Sequence, residues 1–269
     1  MKNINEIISK RITQEFGKDS VIEKISENAQ CFFLSESSKC NSKIGGITTS
    51  KLSIPNNTQF IVQIDLSEIM QNNVLPNKGF LYFYIRTDKN DSYPTLKNEF
   101  HVAYEDYTIN VNNPMEKNKI SFLKEKFMIF YNMITFPSYQ ESIWQKVKVS
   151  DDDIEKVSEI EEEALEYIQN YEYDAPHHIL GHPNALQGTV RFWWAAKYLG
   201  FPEDQQFSEE DIFLIENEED NFILLLQLNF ADPNIEIDVF GDSIAYFGIH
   251  KNDLQNRNFE NAVLVFQNT

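Results

Sequence analysis

One offset constrains what this chain can fold into. Gln63 and Phe83 stand 20 residues apart, as do Gln227 and Phe247, and a shift of 164 residues carries the first pair onto the second. The same shift carries Leu66 to Phe230 and Ile85 to Ile249 without a gap. Around these residues lie apolar runs, 60–66 and 79–85 in the first set, 222–230 and 244–249 in the second. Short runs rich in β-branched and aromatic residues read as strands, and 79–85 is apolar on both faces, as a strand covered on both sides must be. A third strand follows in each set, at 100–104 and 262–266. An internal duplication is therefore expected: two similar three-stranded β units, about 43–107 and 175–269, within a single domain 1–269.

Helices are expected at the start and between the units. Ile4, Ile7, Ile8, Ile12 and Phe16 recur at helical spacing, and Gly17 marks the break. A strand is expected at 31–34, then a long polar loop to about 58 that carries Gly45 and Gly46. Further helices are expected at 139–147, 151–171 and 189–199. Strands in runs with helices grouped between them point to an α+β fold rather than alternating βαβ units.

Charge is distributed very unevenly. The formal net charge is −19. Segment 150–174 holds eleven acids against Lys156 alone, and segment 203–220 holds nine acids and no base, so these two stretches carry the entire excess. Ser150 and Asp153 form a capping-box pattern, and Asp151 and Asp152 put negative charge where a helix N-terminus favours it. On a helical wheel Ile154, Val157, Ile160, Ala164, Leu165, Ile168 and Tyr171 share an arc of about 140°, leaving an acidic outer face within a helical insert of about 138–174. A surface of this sign argues against nucleic acid and anionic membranes as partners.

With 42% hydrophobic residues, including 21 Phe and 12 Tyr, the chain has the material for an aromatic core. No run approaches the length of a membrane helix, and the first 16 residues lack a signal-peptide core. Cys31 and Cys40 are too few for a disulfide framework and lack zinc-site spacing, so free thiols in a reducing, cytoplasmic setting are expected.

A series of short matches runs along most of the chain from about Lys43: Ser42-Lys-Ile-Gly-Gly46, Gln63-Ile-Asp-Leu66, 79–83, Gly181 with Pro183 and Gln187, Leu226-Gln227, Gly241-Asp242 and 259–267. In this order they resemble the YwqG-like family, bacterial cytoplasmic proteins that carry a domain of unknown function. The proline usual after the Gly-Gly pair is missing, Phe240 stands where Trp is usual, and His182 takes a position commonly Gly. The resemblance implies a fold and supplies no catalytic residues.

Several residues invite a chemical reading. His177, His178 and His182 form the one histidine-rich segment, and His178 and His182 have the spacing of helical metal ligands, but Pro176, Gly181 and Pro183 argue for a loop. Neighbouring carboxylates are expected to raise the pKa of these histidines. Asp232, Glu236, Asp238 and Asp242 are acids without the spacing of an EF-hand loop. Gly241-Asp-Ser243 is similar to the start of a lipase and esterase class, yet here it lies near the C-terminus and reads as a glycine turn entering a strand. Trp193 and Trp194 read as core residues of a helix. No phosphate loop, dinucleotide fingerprint, zinc-protease motif or Gly-x-Ser-x-Gly elbow occurs. No catalytic residue, cofactor or metal is assigned.

Two functions fit. The favoured one is a protein-binding module, regulatory or of toxin-immunity type, that docks a basic protein on Glu159, Glu162, Glu163 and Glu166. The other is a small-ligand binder or enzyme with its site in a cleft between the units, drawing on Gly45, Gly46, His178, His182, Gln187, Gly241 and Asp242.

Overall fold

The computed structural model describes residues 4–37, 40–52, 57–70, 73–87, 93–106, 121–166, 175–202, 204–235 and 240–268. Its centre is one ten-stranded sheet rather than two separate three-stranded units. The strands are β1 (Glu27–Ser35), β2 (Lys43–Ile44), β3 (Gln59–Asp65), β4 (Phe80–Ile85), β5 (Phe100–Glu105), β6 (Lys126–Thr135), β7 (His177–Ile179), β8 (Phe222–Asn229), β9 (Ser243–His250) and β10 (Val263–Asn268). Their order is β10-β9-β8-β7-β1-β6-β2-β3-β4-β5, with every neighbouring pair antiparallel. The long pairing of β1 with β6 is the seam between two five-stranded halves.

The sheet curls until it is nearly closed into a barrel. Phe83 of β4 and Phe247 of β9, far apart in strand order, meet edge to face at 5.0 Å, and Tyr93 stacks on Phe266 at 4.8 Å. Inside lies the main apolar core, to which both halves contribute Ile61, Ile64, Leu81, Val102, Leu226, Leu228, Ile249 and Leu264. Strands with the core on one face and a cover on the other have no polar face to show, which is why β9, covered by α5, and β4, on the side covered by the segment after Gly46, are buried at every position.

Helices cover the outer surface in two groups. α1 (Ile4–Phe16) buries Ile4, Ile8 and Ile12, and α4 (Asp151–Glu166) buries Ile154, Val157, Ile160 and Ala164, both over Ala29, Cys31, Tyr131 and Met133 of the seam strands. Ser150 caps α4 as its sequence requires, with the Asp153 N–H donating to Ser150 Oγ at 3.3 Å and the hydroxyl donating back to the Asp153 carboxylate at 2.9 Å. Ile168 and Tyr171, expected in this helix, lie outside the described residues. Short α2 (Val21–Ile25), α3 (Ile143–Val147) and α7 (Lys251–Gln255) join elements. α5 (Val190–Tyr198) and α6 (Glu209–Glu218) cover β8, β9 and β10. α6 begins on a complete capping box between Ser208 and Asp211, so the second acidic stretch is helical.

Candidate functional site

Two buried glutamines organise the two halves in the same way. In the first half, Gln63 Oε1 accepts from the Thr49 N–H at 3.0 Å, and its amide donates to the Asn41 carbonyl at 2.9 Å. In the second, Gln227 Oε1 accepts from the Asn184 N–H at 2.9 Å and its amide donates to the Pro176 carbonyl at 2.8 Å. Tyr82 OH lies 3.0 Å from Thr49 Oγ1, and Tyr246 OH donates to the Asn184 carbonyl at 2.6 Å. Both central strand pairs carry a register shift at the matching place, between Phe60 and Val62 and between Leu224 and Leu226. Next to each glutamine runs a short strand that ends in two consecutive left-handed residues, Gly45 and Gly46 after β2, Leu180 and Gly181 after β7.

These glycines serve the fold. A Cβ on Gly45 would stand 2.4 Å from the Lys124 carbonyl oxygen, and one on Gly181 would stand 2.6 Å from Thr135 Oγ1. Each lets its turn pack directly on a seam strand or the segment leading into it.

The histidine segment is strand β7 at 177–179, where the sequence suggested a loop; pairing with β1 and β8 on its two sides outweighs the flanking prolines. His177 Nδ1 accepts from the Asn229 N–H at 3.0 Å, so its Nε2–H donates to Asp232 at 2.9 Å. His178 is fully buried with its Nδ1–H on the Leu180 carbonyl at 2.8 Å. His182 Nε2–H donates to the Ile25 carbonyl at 2.7 Å. Burial pushes the pKa of His178 and of His182 down to about 4, the reverse of the expected rise, because desolvation outweighs the nearby Glu27 carboxylate at His182 and is the largest influence on His178, where none of the described carboxylates opposes it. His182 belongs to a buried polar cluster in which Arg191 bridges it to Glu27, while Glu141 accepts the Val190 N–H at 3.2 Å and Ser142 donates to Glu219. Burial raises Glu141 to about 7.

Among the described residues no group of three or more His, Cys, Asp or Glu side chains is arranged to hold a metal ion. Glu236 and Asp238 lie outside the described residues, and Gly241 and Asp242 are exposed at the entry to β9. Cys31 and Cys40 are free thiols, and burial raises the pKa of the first.

Among the described residues, a cavity with room for a ligand lies where the curled sheet brings its two ends together. It holds about 580 Å³ and is lined by Tyr93, Thr95, Leu96 and Glu99 from the segment before β5, Gln187, Trp193 and Lys197 around α5, and Val265, Phe266 and Gln267 of β10. Gln187 is the one residue of the ligand-binding set proposed from sequence that reaches it. Trp193, expected in the core, is half-buried at its wall, while Trp194 on the next position is fully buried. Gln267 Oε1 accepts the Leu186 and Gln187 N–H groups at 2.6 and 3.1 Å and fixes the rim. Lys197 Nζ donates to the Thr95 carbonyl at 3.5 Å, and burial lowers its pKa to about 8.

Glu159, Glu162, Glu163 and Glu166 are all exposed on α4, and Glu163 pairs with Arg11 at 3.3 Å. Glu161, on the same helix, turns inward to accept the Phe136 N–H at 3.0 Å, and burial raises its pKa to about 8. α6 presents a different surface. Phe213 is 64% and Leu214 49% exposed, with Ile212 beside them, in a helix otherwise dominated by acids.

A family model described as "Domain of unknown function (DUF1963)" matches residues 42–267, which takes in the sheet from β2 to β10 and both acidic helices. No curated protein matches the chain.

Proposed function

Because the chain belongs to this family of domains of unknown function, its chemistry has to be read from its own cavities and surfaces, and we propose that it is a small-ligand-binding protein whose site is the cleft between the ends of the sheet. The observation that carries this is the cleft itself: about 580 Å³, with aromatic walls and a lysine, in the size range of ligand pockets. Apolar walls supply affinity and the few polar groups supply orientation. A metabolite screen by thermal shift and ligand-observed NMR tests this. Hits must disappear in Gln187→Trp, which fills the cleft from an exposed position and keeps the backbone N–H that Gln267 uses. A screen without hits on the unmodified protein sinks the reading.

We also read the matched glutamine turns and register shifts as the trace of a duplication that produced five strands per half, and the family as YwqG-like and bacterial. Two free cysteines suit a reducing compartment such as the cytoplasm.

A second reading keeps the docking of a basic protein and moves its centre. The outer face of α4 is polar, whereas α6 sets exposed Ile212, Phe213 and Leu214 among Glu209, Glu210, Asp211 and Glu216. A basic segment with an apolar face complements that helix in both charge and hydrophobicity. Phe213→Ser is then expected to weaken capture at low salt more than reversing Glu159, Glu162, Glu163 and Glu166 together. Equal capture by Phe213→Ser and the unmodified chain removes the α6 site.

A further inference from the structure

The lining of the cleft singles out a class of ligand. Resting on the reading of the cleft as the ligand site, we propose that it takes an uncharged adenine-type base, stacked on Tyr93 and read along its donor and acceptor edge by the carboxamide of Gln187.

A series of rings supplies the stacking surface. Phe230 and Phe266 lie 6.1 Å apart and 13° from parallel, and Tyr93 continues the series from Phe266 at 4.8 Å and 9°. Phe266 has rings against it from Tyr93, Phe230 and Phe240, whereas Tyr93 meets Phe266 alone among the rings of the described residues. Tyr93 is thus the last ring of the series, half-buried where it lines the cleft. A flat aromatic ligand extends the stack by one layer, and every nucleobase has the π-face this requires. Trp193, held edge-on against Phe192, and Val265 bound the same space, whose 580 Å³ has room for a purine carrying a sugar.

The unspent polar groups set what is read. Gln187 is exposed at the rim, and its backbone N–H and carbonyl both meet the Gln267 side chain, while its own side chain makes no hydrogen bond among the described residues. A carboxamide presents one donor and one acceptor side by side. Adenine offers the complement, an amino group beside a ring nitrogen that accepts, which makes Gln and Asn its natural side-chain partners. An oxygen in place of that amino group leaves the carboxamide oxygen facing another acceptor. The Trp193 indole N–H and the Tyr93 hydroxyl are likewise without hydrogen bonds among the described residues, so all three unspent groups are uncharged.

The charged groups of the lining are already engaged. Lys197 donates to the Thr95 carbonyl at 3.5 Å and lies in the field of the Glu99 carboxylate. Glu99 in turn pairs with Arg86 Nε at 3.0 Å and accepts the Leu96 N–H at 3.1 Å. A charge on the ligand meets no lining group held in reserve for it, and its loss of water goes uncompensated. Gln267 takes no part in reading the base, since its oxygen holds the Leu186 and Gln187 N–H groups and its amide donates to the Gly188 carbonyl at 3.0 Å.

Four probes decide the question on the full chain by calorimetry: adenosine, purine riboside, which lacks the amino group, inosine, which carries an oxygen in its place, and adenosine monophosphate, which adds charge. Adenosine is expected to bind at least about tenfold more tightly than purine riboside or inosine, and the monophosphate no more tightly than adenosine. Gln187→Leu, which keeps the backbone groups that Gln267 uses, is expected to bring adenosine to the level of purine riboside and to leave purine riboside unchanged. Tyr93→Ala is expected to weaken both alike; if it does not fold, the ranking of the probes and Gln187→Leu decide. Purine riboside or inosine binding as tightly as adenosine, the monophosphate binding about tenfold more tightly than adenosine, or Gln187→Leu without effect on adenosine overturns the ligand class and leaves the cleft standing. So does adenosine failing to bind while hits from the metabolite screen disappear in Gln187→Trp. Failure of adenosine together with a screen unaffected by Gln187→Trp removes the cleft as well.

Discussion

The two halves of the sheet share a skeleton and differ in what covers it. Position for position, Tyr84 and Gly248 correspond: Tyr84 faces Phe60 and His101 across its neighbouring strands, and Gly248 faces Leu224 and Val263. In the first half Tyr84 fills the outer face with its own ring, beside Phe60, Phe80 and Tyr82. The cover there is the segment after Gly46, where the Ser50 hydroxyl and the Lys51 N–H both donate to Glu105. In the second half the strand supplies no side chain at that position, and Trp194 of α5 lies on Gly248 instead, donating its Nε1–H to the Tyr246 carbonyl at 3.2 Å. A ring is needed at this place, and it arrives either from the strand or from the cover. Where it comes from the cover, the cover must be a helix held at fixed height. That helix also carries Trp193 and Lys197 to the cleft, so the second half's cover supplies part of the cleft wall.

The sharpest way to break this comparison is Trp194→Ala. If Trp194 replaces an intrinsic strand side chain, its loss opens a core cavity and costs about 4 kcal/mol in denaturant unfolding; a cost below about 1 kcal/mol means that the ring is incidental. Next come Gln63→Leu and Gln227→Leu. Each strands a buried N–H and a carbonyl, for about 3 kcal/mol, and similar values in the two variants are expected if the glutamines do the same work. A large inequality shows that one half depends on its turn more than the other. Gly248→Ala is smaller, about 2 kcal/mol, because the new methyl group would sit 2.4 Å from the Trp194 ring and the helix must lift. Because α5 forms part of the cleft wall, binding of any hit from the metabolite screen is also expected to weaken in this variant, a readout that unfolding does not supply.

The smallest effect concerns pH. Glu141 accepts the Val190 N–H and so anchors the start of α5. Folded, it holds its proton up to about pH 7, whereas the unfolded chain releases it near 4.5. The folded state binds more protons across that interval, so stability falls as pH rises through it and levels off above. His182, lowered to about 4, acts in the opposite direction between about 4 and 6.5. Comparing Glu141→Gln with the unmodified chain at pH 5 and pH 7.5 isolates the first contribution. The variant is expected to gain about 2 kcal/mol relative to the unmodified chain at the higher pH, and a difference that stays constant with pH rules out Glu141 as the titrating anchor.

The strand pairs around Gln63 and Gln227 were legible because apolar runs and one offset need no knowledge of distant contacts. α1 and α4 were legible from their periodicity and from the Ser150 cap. β6 was less legible, although Lys126-Phe-Met-Ile-Phe-Tyr-Asn-Met-Ile-Thr135 has the composition of a strand, because it lies outside the 164-residue repeat and its partner β1 is about a hundred residues away. β7 is only three residues long, and its strand character comes from β1 and β8 rather than from itself. α6 carried a visible signal, Ser208 three residues before Asp211, beneath its charge. The cleft was the least legible feature. Positions 93–99, 187–197 and 265–267 meet only because the sheet curls, and neither composition nor spacing records curvature.

The place of β1 has a consequence for the growing chain. It comes first in sequence, yet it sits with the C-terminal strands, between β6 and β7. By the time Thr135 has been synthesised, the strands β2 to β6 can assemble with β1 zipped along the seam, and one side of β1 is satisfied before any residue of β7 exists. The other side, at Gln30, Cys31 and Phe32, is an open template awaiting His177, His178 and Ile179. The nascent protein therefore carries its own unfinished edge for some forty residues of elongation, roughly the interval from β6 to β7; of the two helices that close over the seam, α1 is made before that wait and α4 during it.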